Sequence, residues 1–394
     1  MSGKFYIEVA CNQRNFGKER ICGDVFLSRK VKEENRTIVV LSDGMGHGVK
    51  ANVLATLTAT MAVNFTIEHK AVEKIAEIIM NTLPVCSERQ MSYSTFTIVD
   101  IEHDGAVNIL EFDNPQTIIL RDNIPFDPGW KILKLESENN GGKEILSCQF
   151  EPRKEDRLIF CSDGIAQSGL GTDKYPLGWG RDSMEEYAIK LVENSPKISA
   201  SKLALKMVNM AHQNDGYSSK DDTSCASIYF RNPRKLMIVT GPPYEKENDS
   251  ELGKTVKSFK GKKVVCGATT ADIIARELGV EIEDSLVFED PELPPVSHME
   301  GIDLVTEGIL TITKVTRILK EFSPSFTLGK GPADRIVKLV EQSDEIHFII
   351  GTRVNIAHQD PNLPIDLEIR RTVVKRMARL LEEKFLKEVT IKYI

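Results

Sequence analysis

Short apolar runs closed by turn residues recur along the chain. Ile38-Val39-Val40-Leu41 runs into Ser42-Asp43-Gly44, and Leu158-Ile159-Phe160-Cys161 runs into Ser162-Asp163-Gly164. Four apolar residues between turn signals predict a buried strand. Each Asp is therefore expected at the rim of a sheet. Strands are also predicted at 6–10, 37–41, 95–101, 106–112, 116–121, 157–162 and 225–230, with 95–101 and 106–112 joined by a turn at His103-Asp104-Gly105. Between them the period changes. Val49, Val53, Leu57, Met61 and Phe65 recur at every fourth position, which predicts a helix with that stripe in the core. Helices are also predicted over 71–82, 183–194 and 199–213.

At Arg231-Asn232-Pro233-Arg234-Lys235 the pattern changes again. Strand-like 236–240, 263–266, 303–306, 347–350 and 388–393 alternate with helix-like 271–278, 309–320 and 366–385. Alternation of this kind predicts a parallel, layered α/β sheet. The expected division is 1–232 and 236–394. In the second part, Gly241-Pro242, Gly267, Glu307-Gly308 and Gly351-Thr352 all follow strand signals. Ligands of open α/β sheets sit at the carboxyl ends of the strands. Thr269 and Asp272 suit a helix start, where free N–H groups attract anions. A small anionic ligand is one expectation for this part; ordinary tight turns and caps are the other. No full Gly-x-x-x-x-Gly-Lys-Ser/Thr phosphate loop is present.

Composition narrows the classes. A length of 394 residues exceeds one typical domain. The chain is 41% hydrophobic and 28% charged, as ordinary folded proteins are. A net charge of −7 without a long basic block argues against nucleic acid or an anionic membrane as partner. No apolar stretch nears the roughly 20 residues of a membrane span, and the first residues lack a secretion signal. Seven cysteines, none in a Cys-x-x-Cys pair, read as reduced thiols, with Cys161 and Cys225 buried. A cytoplasmic protein is expected.

The chemistry lies in four acidic sites. Asp43 and Asp163 are joined by Asp24 in Gly23-Asp24-Val25-Phe26 and by Asp221-Asp222. An Asp-Gly alone is usually only a turn. Together these carboxylates make a set of hard oxygen ligands of the kind that binds Mg²⁺ or Mn²⁺, and paired ions of that kind activate water against phosphate esters. Asp222 reads as a supporting or solvated carboxylate, His47 as a loop-shaping residue and Cys22 as a packed thiol.

With Gly23-Asp24-Val25-Phe26, Asp43-Gly44-Met45-Gly46-His47-Gly48, Ser162-Asp163-Gly164-Ile165 and Asp221-Asp222-Thr223-Ser224 in order, the first 230 or so residues resemble the metal-dependent Ser/Thr protein phosphatases of type 2C. The resemblance is closest to the bacterial branch typified by the stage II sporulation protein E phosphatase. Asp113-Asn114-Pro115 looks like a worn form of that family's Asn-Pro turn. The resemblance implies an α+β fold, a β-sandwich flanked by helices, ahead of the smaller α/β domain. It implies that Asp43 bridges two Mn²⁺ or Mg²⁺ ions, that Gly44 offers its carbonyl, and that Asp24, Asp163 and Asp221 complete the sites. It implies hydrolysis of phosphoserine or phosphothreonine on a signalling protein such as an anti-sigma-factor antagonist. The part 236–394, outside the resemblance, is expected to be a regulatory or ligand-binding domain. A phosphoprotein-sensing scaffold with little turnover, or a second domain acting on a small phosphorylated ligand, are the alternatives. Two features depart from the pattern. Met45 stands where eukaryotic members carry a His, and no N-terminal Arg, Arg20 included, matches their phosphate-gripping residue.

Overall fold

Every residue of the strand Arg36–Gly44 except Asp43 is buried, so both faces of this strand need cover. The computed structural model shows how that cover is built. It describes residues 5–394 except 18, 71, 83–93, 103–104, 136–142, 323–325, 354–365 and 386. The turn predicted at His103-Asp104 lies outside the described residues. The chain divides into two compact units, Met1–Asn232 and Pro233–Ile394.

The first unit runs β1 (Tyr6–Arg14), β2 (Asp24–Val31), β3 (Arg36–Gly44), α1 (Gly48–Ile67), α2 (Val72–Thr82), β4 (Ser94–Ile101), β5 (Val107–Phe112), β6 (Ile118–Arg121), β7 (Ile124–Pro125), β8 (Lys131–Lys134), β9 (Glu144–Phe150), β10 (Arg157–Cys161), α3 (Asp163–Ala166), α4 (Arg181–Asn194), α5 (Ala200–Asn214) and β11 (Thr223–Arg231). These strands form two sheets, β1-β11-β10-β6-β7 and β2-β3-β4-β5-β9-β8. Alternation in β3 sends Val39 and Leu41 to the core between the sheets, where they meet Leu158, Phe160 and Ile228. It sends Ile38 and Val40 outward against Ala59 of α1 and Ile79 of α2. On the other side Ile159 and Cys161 lie under Met184 of α4 and Met207 of α5. Each such aliphatic side chain contributes roughly 1.5–3 kcal/mol on burial. The result is a helix-flanked β-sandwich.

One expectation about α1 is corrected. Val49, Val53 and Leu57 are 63%, 59% and 44% exposed, so this part of the stripe is not core. Only Met61 and Phe65 at its far end pack inward. The buried face is Ala51, Ala55, Ala59, Ala62 and Val63. An every-fourth spacing drifts about 40° per step around a helix, so it cannot keep to one face. The helix also lies too close to β3 for large residues there: a Cβ on Gly44 would stand 2.0 Å from the Ala51 carbonyl oxygen.

The second unit runs β12 (Lys235–Thr240), α6 (Asp249–Ser258), β13 (Lys262–Cys266), α7 (Ala268–Leu278), β14 (Ile282–Asp284), β15 (Ser297–Met299), β16 (Ile302–Thr306), α8 (Ile309–Glu321), α9 (Pro332–Glu341), β17 (Glu345–Ile350), α10 (Asp366–Glu383) and β18 (Glu388–Tyr393). The sheet order is β14-β15-β16-β13-β12-β17-β18. β16, β13, β12, β17 and β18 are parallel. The edge pair β14 and β15 is antiparallel, which the strict alternation did not predict. Strands of three residues are too short to show a period. Helices α8, α9 and α10 cover one face with Ile312, Val337 and Met377, and α6 and α7 the other with Leu252 and Ile274. Among the described residues, no helix is long and apolar enough to cross a membrane.

Glu111 of β5 is a buried carboxyl. It accepts hydrogen bonds from the Thr117 amide at 3.0 Å and from the Thr117 hydroxyl. Burial pushes it from the ordinary 4.5 up to about 7, against the pull of those donors and of Arg181. The fold thus favours the protonated form. Its contribution to stability is fully present below the unfolded value of 4.5 and is lost as pH rises through about 7. The fall in melting temperature between about pH 5 and about pH 8 is expected to be smaller in Glu111→Gln than in the native chain. Equal falls would assign the effect to other groups.

Candidate metal centre

In the antiparallel pair β2–β3, Asp24 is directly opposite Asp43. In the other sheet, β10 ends at Cys161, opposite Cys225 of β11. Asp163 opens α3 just beyond β10, and Asp221 lies just ahead of β11. The two sheets thus deliver their acidic residues to one end of the sandwich. Asp43 lies within electrostatic reach of Asp24, Asp163 and Asp221.

The serine of each Ser-Asp-Gly ties one strand to its neighbour. Ser42 Oγ is 2.7 Å from Ser94 Oγ and donates to the Thr95 carbonyl at 2.9 Å, while Ser94 Oγ donates to the Asp43 carbonyl at 2.8 Å. Ser162 Oγ accepts from the Ser224 amide at 3.0 Å, and the Ser162 amide donates to the Ser224 carbonyl at 3.0 Å. The glycines allow close approach. A Cβ on Gly164 would stand 2.2 Å from the Asp222 carbonyl oxygen, the counterpart of the Gly44–Ala51 contact.

Asp24 is 2% exposed, and neither of its carboxyl oxygens has a hydrogen-bond partner among the described residues. Burial pushes it up to about 6. The nearby Ser224 and Ser162 hydroxyls pull it back without closing a hydrogen bond, and the Asp222 charge adds to the rise. Asp43 is held well above the carboxylate range, first by burial, then by the charges of Asp24, Asp163 and Asp221. Asp221 is pushed up to about 6 by burial and by Asp163. All three shifts have the sign expected of carboxyls facing one another without a counter-charge. A divalent cation would reverse them. The donors are all oxygens, as Mg²⁺ and Mn²⁺ prefer, and the two unsatisfied oxygens of Asp24 fit that use. No group of three or more His, Cys, Asp or Glu is arranged around one metal position among the described residues.

Asp222 has a different task. It is 2% exposed, and its two oxygens accept the Phe16 amide at 2.8 Å and the Gly23 amide at 2.9 Å. It therefore clasps both ends of the loop leading to Asp24. Gln13, not singled out from the sequence, supports the same loop by donating to Ser224 Oγ at 3.0 Å and to the Asp24 carbonyl at 3.3 Å. Asn114 also reaches this end. Its side-chain oxygen accepts from Thr95 Oγ1 at 2.5 Å, and its nitrogen donates to Thr97 Oγ1 at 3.1 Å. Asp113 before it has φ 59°, which makes the turn. Such long-range partners leave no local signal. Arg20 is exposed. Cys22 is half-buried, and burial followed by the Asp24 charge raises its thiol pKa.

In the second unit the strand order reverses between β12 and β17, where a crevice is expected. Three of its loops use their amides internally. Gly267 N donates to the Thr306 carbonyl and Gly351 N to the Thr240 carbonyl. Glu307 Oε2 accepts from the amides of Leu310 and Thr311. These amides are therefore engaged by the chain itself, which weakens the expectation of an anionic ligand.

A family model described as Stage II sporulation protein E (SpoIIE) matches residues 33–231, just over half of the chain. Asp43, Asp163 and Asp221 lie inside the match and Asp24 ahead of it. No curated protein sequence matches the chain. Among solved structures, the phosphatase domain of SpoIIE from Bacillus subtilis, in a crystal form without domain swapping, is 15% identical, with a TM-score of 0.45 over 59% of this chain and 95% of that one. The Bacillus subtilis SpoIIE PP2C phosphatase domain with a fragment of its regulatory domain is 16% identical, with a TM-score of 0.46 over 58% of this chain and 64% of that one. RsbX in complex with magnesium is 17% identical, with a TM-score of 0.40 over 58% of this chain and 98% of that one.

Proposed function

The chain belongs to the stage II sporulation protein E family, homologous to the PP2C-type serine/threonine phosphatases, and on that premise we propose that its first unit removes phosphate from phosphoserine or phosphothreonine on a signalling protein. The observation that carries this reading is the approach of Asp24, Asp163 and Asp221 to Asp43, with both Asp24 oxygens buried and unsatisfied. Asp24, Asp43, Asp163, Asp221 and the Gly44 carbonyl are the donors assigned to two Mn²⁺ or Mg²⁺ ions. Bound there, the ions supply Lewis-acid activation of water and offset charge on the phosphoryl oxygens. The charges of the other three all act on Asp43. Ser42, Ser94, Ser162 and Ser224 hold the backbone that carries the carboxyls, so the donors are in place before substrate arrives. Asp222 and Gln13 hold the loop before Asp24.

The substrate we assign is a small phosphoprotein of the anti-sigma-factor antagonist type, and residues 236–394 the role of a regulatory unit. Incubation of the full chain with a phosphoserine peptide tests the chemistry. Phosphate release is expected with Mn²⁺ or Mg²⁺ and is expected to stop on dialysis against EDTA. Full release after EDTA would remove the mechanism. No release with either ion would favour a phosphoprotein-sensing scaffold.

A further inference from the structure

The hairpin β14–β15 forms one edge of the sheet in the second unit, and among the described residues no strand pairs with the outer side of β14. The inner side of β14 is fixed. Glu283 is opposite His298 and Asp284 opposite Ser297, and Asp284 Oδ1 accepts from Ser297 Oγ at 2.7 Å. Pairing ends where the Ser285 amide donates to the Val296 carbonyl at 3.1 Å. The second half of the loop beyond it is pinned. Glu289 pairs with Arg335 at 2.5 Å and the buried Asp290 with Lys314 at 2.7 Å, and Leu293 joins the core with Ile312 and Val337. The first half is Leu286, Val287 and Phe288, which are 90%, 65% and 73% exposed. Here too the main chain is held, because Ser285 Oγ accepts the Val287 amide at 3.2 Å. Single exposed apolar residues are ordinary, but three large ones in a row on a pinned loop mark a surface that another molecule covers. The surrounding stretch 281–292 carries Glu281, Glu283, Asp284, Glu289, Asp290 and Glu292, and no Lys, Arg or His.

We propose that the open edge of β14, with Leu286, Val287 and Phe288 at its end, docks an extended segment of another protein in which aliphatic residues alternate with Lys or Arg. The segment adds to the sheet as a further strand. An open edge presents main-chain N–H and C=O groups to a strand laid beside it, and these hydrogen bonds hold the segment whatever its side chains. The side chains then select it. Glu283 and Asp284 are exposed on the edge and attract basic residues. The apolar triplet covers the aliphatic ones. Because the loop is already held, little order has to be gained on binding. The same charges exclude a second copy of this chain. Two β14 edges side by side would set Glu283 and Asp284 of one copy against those of the other, and like charges directly opposite destabilise a strand pair.

The test titrates the full chain with a peptide of repeated Lys-Val, followed by calorimetry and by the backbone amide signals of the ¹⁵N-labelled protein. Binding is expected, with the shifted amides confined to 282–288 and their neighbours on β15. Two control peptides separate strand addition from attraction between charges. A Lys-Val peptide methylated on alternate main-chain nitrogens keeps its charge but cannot complete the hydrogen bonds, and a Glu-Val repeat keeps the strand but reverses the charge. Neither is expected to bind. The double substitution Leu286→Ser, Phe288→Ser lies on an exposed loop and is expected to weaken the Lys-Val peptide on the order of 10-fold at unchanged melting temperature. No binding of the Lys-Val peptide, shifts elsewhere on the chain, equal binding of the methylated peptide, or equal binding by the double variant would each overturn the assignment. A native chain that dimerises, and ceases to in the double variant, would give the edge to a second copy and overturn it as well.

Discussion

Asp43→Asn is expected to lose at least about 100-fold in turnover on a phosphoserine peptide while remaining folded, the scale of removing one strong electrostatic stabiliser. Asp43 is the carboxyl on which the charges of Asp24, Asp163 and Asp221 all act, so loss of its charge would weaken the hold on a divalent cation most. Asn keeps the shape and the carbonyl but removes the charge. The fold should tolerate the change. Burial and like charges already press Asp43 toward its neutral form, and a neutral amide removes that repulsion. Asp163→Asn and Asp221→Asn are expected to behave similarly. Asp222→Asn should affect turnover less, because that carboxyl is engaged by the Phe16 and Gly23 amides. Phosphate release with Mn²⁺, measured beside the melting temperature of each variant, checks these expectations. Native turnover in Asp43→Asn would mean that the cluster is not the metal centre.

Gly44→Ala is expected to lower stability by about 3 kcal/mol or more, at the upper end of overpacking effects. The added carbon would stand 2.0 Å from the Ala51 carbonyl oxygen and 2.6 Å from its carbon. Those are main-chain atoms of α1, so no side chain can turn aside. Relief requires the helix to lift from β3, which would displace the Ala51–Ala55–Ala59 face and the loop carrying His47. Chemical denaturation of the two proteins measures the difference. A loss below about 1 kcal/mol would show that α1 can shift at little cost.

These two effects also separate what is local from what is not. The Ser-Asp-Gly pair was legible because a short apolar run and a turn signal are both properties of neighbouring residues. The helix over α1 was legible for the same reason, since its period is local. Which face of α1 is buried was not. The apolar stripe Val49, Val53 and Leu57 faces outward because the near approach of α1 to β3 at Gly44 puts the small residues Ala51 and Ala55 on the inner face there. In the second unit the parallel strands showed in their alternation with helices, whereas the edge pair β14–β15 did not, because three-residue strands carry no period.

The acidic residues themselves, their order and the oxygen-only chemistry they offer were determined by the sequence alone. Their convergence was decided by tertiary structure, because Asp24 meets Asp43 through strand pairing, while Asp163 and Asp221 arrive from the opposite sheet. The duties of Asp222 and Gln13 were likewise decided there. Asp222 clasps amides 206 and 199 residues away, and Gln13 reaches Ser224 across 211. Hydrogen bonds over such separations leave no periodicity or motif in a sequence. They exist only once the two sheets have packed and brought their ends together.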